Sequence, residues 1–330
     1  MLTAAAFVAS FVPMLFYTAI LSCFSRHAKP SLLLLAITFL WGALPAVTFA
    51  RVLESLAYVP FLSFVKADLV KSTLFVPLIE EGCKALALLG LLLWRPKELN
   101  APTAGLIYGG SIGLGFAAAE NISYFTATYQ EMGVAGMIGQ ILLRVGFFGL
   151  NHAMYTGLIG TSLALAQGIH QRALQEAIRV AGTVLSVAAH GLHNALTVLS
   201  IHSGTGVPLL GAVILDWAGV LLLGVVALGL LLLEDRHMRR YLARLAALQV
   251  IPQEEVPILQ YPFLSGIVRL KALFSGDLTR WRQLGHYYRQ VAEAAFVWQQ
   301  CSTGDPKAQA AIKQHERAII ELRHTHKPMI

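Results

Sequence analysis

Charge is missing where a soluble chain would need it. Residues 1–233 hold only twenty Asp, Glu, Lys and Arg residues, whereas the shorter segment 234–330 holds twenty-three. A soluble domain carries roughly 25% charged residues, and the first 233 residues carry under 9%. A surface that poor in charge cannot be wetted, so it must face lipid. Apolar runs of about 20 residues, enough to cross a hydrocarbon core of roughly 30 Å, lie at 2–24, 31–50, 70–94, 103–127, 134–166, 179–202 and 209–233. The expected fold is therefore all-α: a polytopic membrane helix bundle of about seven spans over residues 1–233. A soluble, mostly helical tail is expected over 234–330. Disorder and a nucleic-acid-binding domain are excluded for the bulk of the chain. The three cysteines, Cys23, Cys83 and Cys301, form no C-x-x-C pattern and no disulfide framework.

The first run has no Lys or Arg before it and exceeds the h-region of a signal peptide, so it is read as a span. The fifth is too long for one straight crossing and rich in glycine, which predicts a tilted, broken or re-entrant path. Residues 51–69 read as a mixed loop with a short interfacial helix. Basic residues collect after the first, third and fifth runs, as Arg26 and Lys29, Arg95 and Lys97, and Arg172 and Arg179, and again at the start of the tail. The loop after the second run, with Arg51, Lys66 and Lys71, is discordant. The positive-inside rule then puts the N-terminus outside and the tail in the cytoplasm. Tail segments 279–301 and 307–323 have the apolar period of amphipathic helices.

Six Asp, Glu, Lys or Arg residues fall inside the runs, clear of their first and last few residues: Glu80, Glu81, Lys84, Glu120, Arg144 and Asp216. Each charge near the bilayer centre costs about 2.5–3.5 kcal/mol on insertion scales, so several together call for a function. Glu80 and Glu81 stand four and three residues before Lys84 and share a helical face with it. Phe116 and Glu120 lie one turn apart, as do His152 and Thr156, and His190 and Asn194. At 1.5 Å per residue four spans bring Glu80, Glu120, His152 and His190 to similar depth. Arg144 reads as a carboxylate partner or a snorkelling side chain, Asp216 as a solvated residue near a span end, and His193 as either structural or supporting. The glycines of GLIYGGSIGLG read as helix-packing surfaces, because a phosphate loop would not lie within a span.

Taken together, Glu80-Glu81-x-x-Lys84, Phe116-x-x-x-Glu120-Asn121, His152 and His190-x-x-x-Asn194, each inside an apolar run, resemble the PrsW family of intramembrane proteases. That family is distantly similar to the CAAX-protease and bacteriocin-processing membrane enzymes, which place a histidine where Glu120 stands here. The resemblance covers roughly residues 1–230, and the tail carries no such likeness. It implies peptide-bond hydrolysis in or near the bilayer of a bacterial plasma membrane. The implied partners are the lipid and a single-span protein substrate such as an anti-sigma factor, with no nucleic acid. By the same resemblance Glu80 is the general base and then acid, and Glu81 is a second carboxylate or a metal ligand. Lys84 and Asn121 would support them, and His190 with Asn194 would donate to the oxyanion. Alternatively Glu120, His152 and His190 ligate one Zn²⁺ with a position open for water. The residues alone leave metal-assisted and metal-free mechanisms open, and the family tilts the choice toward metal. A proton-coupled transporter would predict inverted repeats, and no matching half-chains are present. A seven-span scaffold would leave the converging carboxylates and histidines without a purpose.

Overall fold

The computed structural model describes residues 2–24, 30–58, 68–169, 171–301 and 306–324. Arg26, Lys29 and Lys66, used above to orient the chain, lie outside them. The described residues are helical almost throughout, with no strand among them. Two compact units emerge, Met1–Phe24 with Pro30–Leu228, and Gly229–Ile330.

The first unit contains α1 (Leu2–Ser22), α2 (Leu32–Trp41), α3 (Val47–Tyr58), the single turn α4 (Asp68–Val70) and α5 (Val76–Trp94). These are followed by α6 (Pro102–Ile141), α7 (Asn151–Gln167), α8 (Arg172–Ser203) and the first part of α9 (Val207–Ala247). Among the described residues five stretches are long and apolar enough to cross a membrane: Leu2–Ser22, Leu32–Leu56, Pro102–Gln167, Arg172–Ser203 and Val207–Ala247. This is a helical membrane bundle. Helix α5, with Glu80, Glu81 and Lys84, is the most charged of its long helices in the middle.

The bundle is inside-out by the standard of a soluble domain. Leu32, Trp94 and Leu222 are exposed, while Glu81, Lys84 and Thr156 have no exposure at all. A solvent of lipid offers nothing to a polar atom, so polar atoms must find one another inside.

Among the described residues three π-helical turns interrupt the helices, at Gly42–Ala46, Lys71–Phe75 and Leu142–Phe147. Pro45 accounts for the first, since it lacks an N–H and cannot close the regular ladder. The long run at 134–166 is broken by the π turn that precedes the start of α7, and just before the run α6 bends at Gly133, whose φ of 68° suits glycine alone. The expected loop at 51–69 is helical as far as Tyr58.

Helices α6 and α7 pack at backbone contact. A Cβ on Gly105, Gly109 or Gly113 would strike the carbonyl of Gly160, Thr156 or His152 respectively. The order runs upward on one helix and downward on the other, so the pair is antiparallel. The glycines of GLIYGGSIGLG thus form a packing surface, and they bring His152 and Thr156 close to α6.

The second unit comprises the end of α9, α10 (Val256–Gln260), α11 (Pro262–Phe274), α12 (Leu278–Cys301) and α13 (Pro306–His324). Its core is that of a water-soluble protein: Leu242, Leu245, Tyr287, Val291, Ala294 and Ile319 pack together with little or no exposure. One carboxylate is buried in it. Glu255 accepts a hydrogen bond from the Tyr287 hydroxyl at 2.9 Å and lies 3.6 Å from Arg323. Burial and the Glu255 charge push the Tyr287 phenol well above its usual range, and the same causes push Tyr288 up to about 12.

Candidate functional site

Lys84 is the hub of the buried charges. Its Nζ donates to Glu81 Oε1 at 2.7 Å and lies 3.3 Å from Glu80 Oε2 and 3.1 Å from His152 Nδ1. The Phe116 ring lies beneath it, 3.8 Å from Nζ to the centroid, a cation–π contact that needs no water. As an ammonium Lys84 can only donate, so His152 Nδ1 accepts and His152 Nε2–H donates to Glu120 Oε2 at 3.1 Å. The expected i, i+3 and i, i+4 pairing on α5 is thereby in place, with α7 joined to it.

Glu81 is saturated. One oxygen serves Lys84 and accepts from His190 Nδ1 at 3.0 Å. The other accepts from Thr156 Oγ1 at 2.9 Å and Ser186 Oγ at 3.4 Å. His190 is held from a second side by Tyr155, whose ring stacks on it at 4.8 Å and 10°. With its proton on Nδ1, His190 turns the lone pair of Nε2 toward Glu80 Oε2, 3.8 Å away. An ionised Glu80 opposite that lone pair makes a seat for a cation, with Lys84 Nζ already 3.3 Å from the same oxygen. Ligand atoms of Glu80, His152 and His190 lie within 4.8 Å of one another, and all three residues are buried. Tetrahedral zinc bonds of 2.0–2.1 Å imply ligand separations of roughly 3.4 Å, so the Glu80–His190 gap is a few tenths of an ångström wide of that.

Glu120, read from the sequence as the carboxylate ligand, is engaged elsewhere. Arg144 Nη2 bonds its Oε2 at 2.7 Å, while Arg144 Nε donates to Asn121 Oδ1 at 2.5 Å. The guanidinium also stacks 3.8 Å over the Tyr124 ring. Among the described residues Glu120 Oε1 has no hydrogen-bond partner. Asn194, expected to face an oxyanion, donates through Nδ2 to the carbonyl of Ser72 in the π turn, at 3.0 Å. Asp216 is not solvated. It is buried, and Asn151 Nδ2, His193 Nδ1 and Tyr155 Oη converge on its two oxygens at 2.7, 2.7 and 3.0 Å. Its partners come from α7 and α8, and no spacing along α9 could reveal them. The sequence signal was there in weaker form: Asp216 is the one acid in the apolar run of α9.

These groups border a cavity of about 710 Å³. Glu80, Glu120, Arg144, His152, His190 and His193 contribute to its polar wall, and Val47, Phe148, Val198, Ile201 and Leu209 to its apolar one. Glu81 and Lys84 stand behind that wall.

A helical membrane bundle with a cavity of this size, a two-histidine, one-carboxylate cluster and an adjacent acid has the construction of a membrane-embedded hydrolase. Residues 30–226 match the PrsW family intramembrane metalloproteases, and the chain belongs to that family. No curated protein and no solved structure matches it. The chain is thus an integral membrane protein and an intramembrane protease, whose substrates are membrane proteins and whose family works with a metal ion.

Proposed function

We propose that the enzyme hydrolyses a peptide bond of a single-span membrane protein, with an anti-sigma factor as the expected kind, and that Glu80, His152 and His190 would hold Zn²⁺, His152 giving up the Lys84 hydrogen bond at Nδ1 to offer that lone pair while Nε2–H stays on Glu120. The observation that carries this reading is the pair of acceptors, Glu80 Oε2 and His190 Nε2, facing each other at 3.8 Å while Glu81 fixes the other nitrogen of the ring. Two imidazoles and one carboxylate form an accepted catalytic zinc set, and a carboxylate behind a ligating histidine is its usual support. When bound, the ion supplies a Lewis acid and a water that ionises near neutral pH.

The chain's own residues supply the rest. Glu120 sits on the cavity wall with Oε1 uncommitted, and it takes the proton of the attacking water. As water adds to the carbonyl carbon and the C–N bond breaks, Glu120 passes that proton to the leaving nitrogen. Arg144 holds Glu120 in place and is itself tied to Asn121. This reading exchanges the roles expected from the sequence, with Glu80 as ligand and Glu120 as base. Asn194 then serves by tying α8 to the turn at Ser72. We assign residues 1–233 to the catalytic bundle and 234–330 to a cytoplasmic tail in a bacterial plasma membrane, N-terminus outside, on the strength of the basic loops.

A second reading, a metal-free glutamate mechanism, is favoured by Lys84 Nζ standing beside Glu80 as a built-in cation. The deciding experiment measures zinc per protein and cleavage of single-span substrates by purified protein. Glu120→Gln should keep stoichiometric zinc and lose roughly 10²–10⁴ in rate, whereas Glu80→Gln and His190→Ala should lose both zinc and turnover. Full activity in a metal-free preparation would remove the ion and leave the glutamate mechanism. Wild-type turnover by both Glu80→Gln and Glu120→Gln would sink the assignment of these carboxylates.

A further inference from the structure

Asp216 and His193 stand apart from the groups used so far. A buried carboxylate in a span is costly, and this one is saturated by Asn151, Tyr155 and His193. An ionised Asp216 can only accept, so His193 carries a proton on Nδ1, and the neutral ring then has its lone pair on Nε2. Phe148 meets the His193 ring edge-on at 4.7 Å, which together with Asp216 fixes the orientation of the ring. His193 borders the cavity, and Nε2 has no partner among the described residues. The same Asp216 anchors Tyr155, the ring on which His190 rests.

An acceptor held this firmly at the edge of a membrane cavity needs a donor. A spanning helix must unwind before its backbone can be cut, and each N–H it frees in lipid costs several kcal/mol until something accepts it. We propose that the Asp216–His193 pair is a substrate-positioning site: His193 Nε2 accepts an N–H of the unwound backbone, and Asp216 sets the tautomer that makes this possible. This deepens the protease reading and rests on it for the identity of the ligand, a membrane-spanning peptide.

The test reads binding, so it does not depend on turnover. A fluorescent single-span peptide is titrated against the full chain in nanodiscs, in the Glu120→Gln background, with and without His193→Phe, His193→Gln or Asp216→Asn. One net hydrogen bond predicts a Kd raised about three- to tenfold by His193→Phe, with partial rescue in His193→Gln, whose amide oxygen can accept. Asp216→Asn should weaken binding by a similar factor, and the double variant with His193→Phe should add little. Side-chain ¹⁵N shifts should show Nδ1–H in the parent and Nε2–H in Asp216→Asn. His193→Phe keeps two of the three donors to Asp216, so folding is preserved where Asp216→Asn is not tolerated. Unchanged Kd in His193→Phe, additive losses in the double variant, or a proton on Nε2 in the parent would each overturn the inference. A chain that binds the peptide in this way yet cleaves nothing would overturn the protease reading and leave the binding site standing.

Discussion

The two units of this chain solve the burial problem in opposite directions. In the membrane unit, Glu81, Lys84 and Thr156 are sealed inside while Leu222, at 66% exposure, faces outward. In the tail unit, Leu242 and Leu245 are sealed inside and the arginines lie partly or fully outside. Both have one theme in common: a buried carboxylate is given polar or charged partners. Glu81 has Lys84, His190, Thr156 and Ser186, and Glu255 has Tyr287 and Arg323. The difference is that hydrophobic burial holds the tail together, whereas lipid gives the membrane helices no such drive and leaves close packing and polar contacts to do it.

The comparison breaks first at Glu81. Replacing it with Gln leaves Lys84 and His190 without the charge that satisfies them, and breaking a buried pair costs about 3–5 kcal/mol. Unfolding of the Glu81→Gln protein in detergent should shift accordingly, and an unchanged transition would mean that the polar interior does not hold the bundle together. The next contrast is between two leucines. Leu242→Ala in the tail should cost about 2–5 kcal/mol of tail stability, while Leu222→Ala on the lipid face should stay within about 0.5 kcal/mol; equal losses would erase the distinction between the units. Gly113→Ala should cost about 1–3 kcal/mol by pressing a methyl on the His152 carbonyl, read as a lowered melting temperature together with weaker zinc retention. The smallest effect belongs to the tail. Tyr288 is raised in the folded protein, so its contribution is complete below pH 10 and is lost as pH climbs toward about 12. A phenolate absorbance titration should show it ionising late, and a curve like that of free tyrosine would contradict its burial.

Much of the fold was legible because lipid imposes one rule on every span. Missing charge located the helices, and the i, i+3 and i, i+4 spacing of Glu80, Glu81 and Lys84 anticipated contacts now seen at 3.3 and 2.7 Å. Arg144 did find a carboxylate. What spacing could not supply was the rotation of one helix against another. Depth alone made Glu120 and Glu80 equivalent, and Arg144, arriving from a π turn 24 residues on, separates them. Asp216 was misread for the same reason, since its partners lie 23 to 65 residues away along the chain.

The lysine beneath the carboxylates has a consequence for biogenesis. Glu80, Glu81 and Lys84 travel on one helical face, so the segment leaving the ribosome carries its own counter-ion and enters the translocon with a net charge of one rather than two. Its most demanding pair is already joined within the helix, before any neighbouring span arrives. Insertion of this helix therefore does not have to wait for a neighbour to bring the counter-charge.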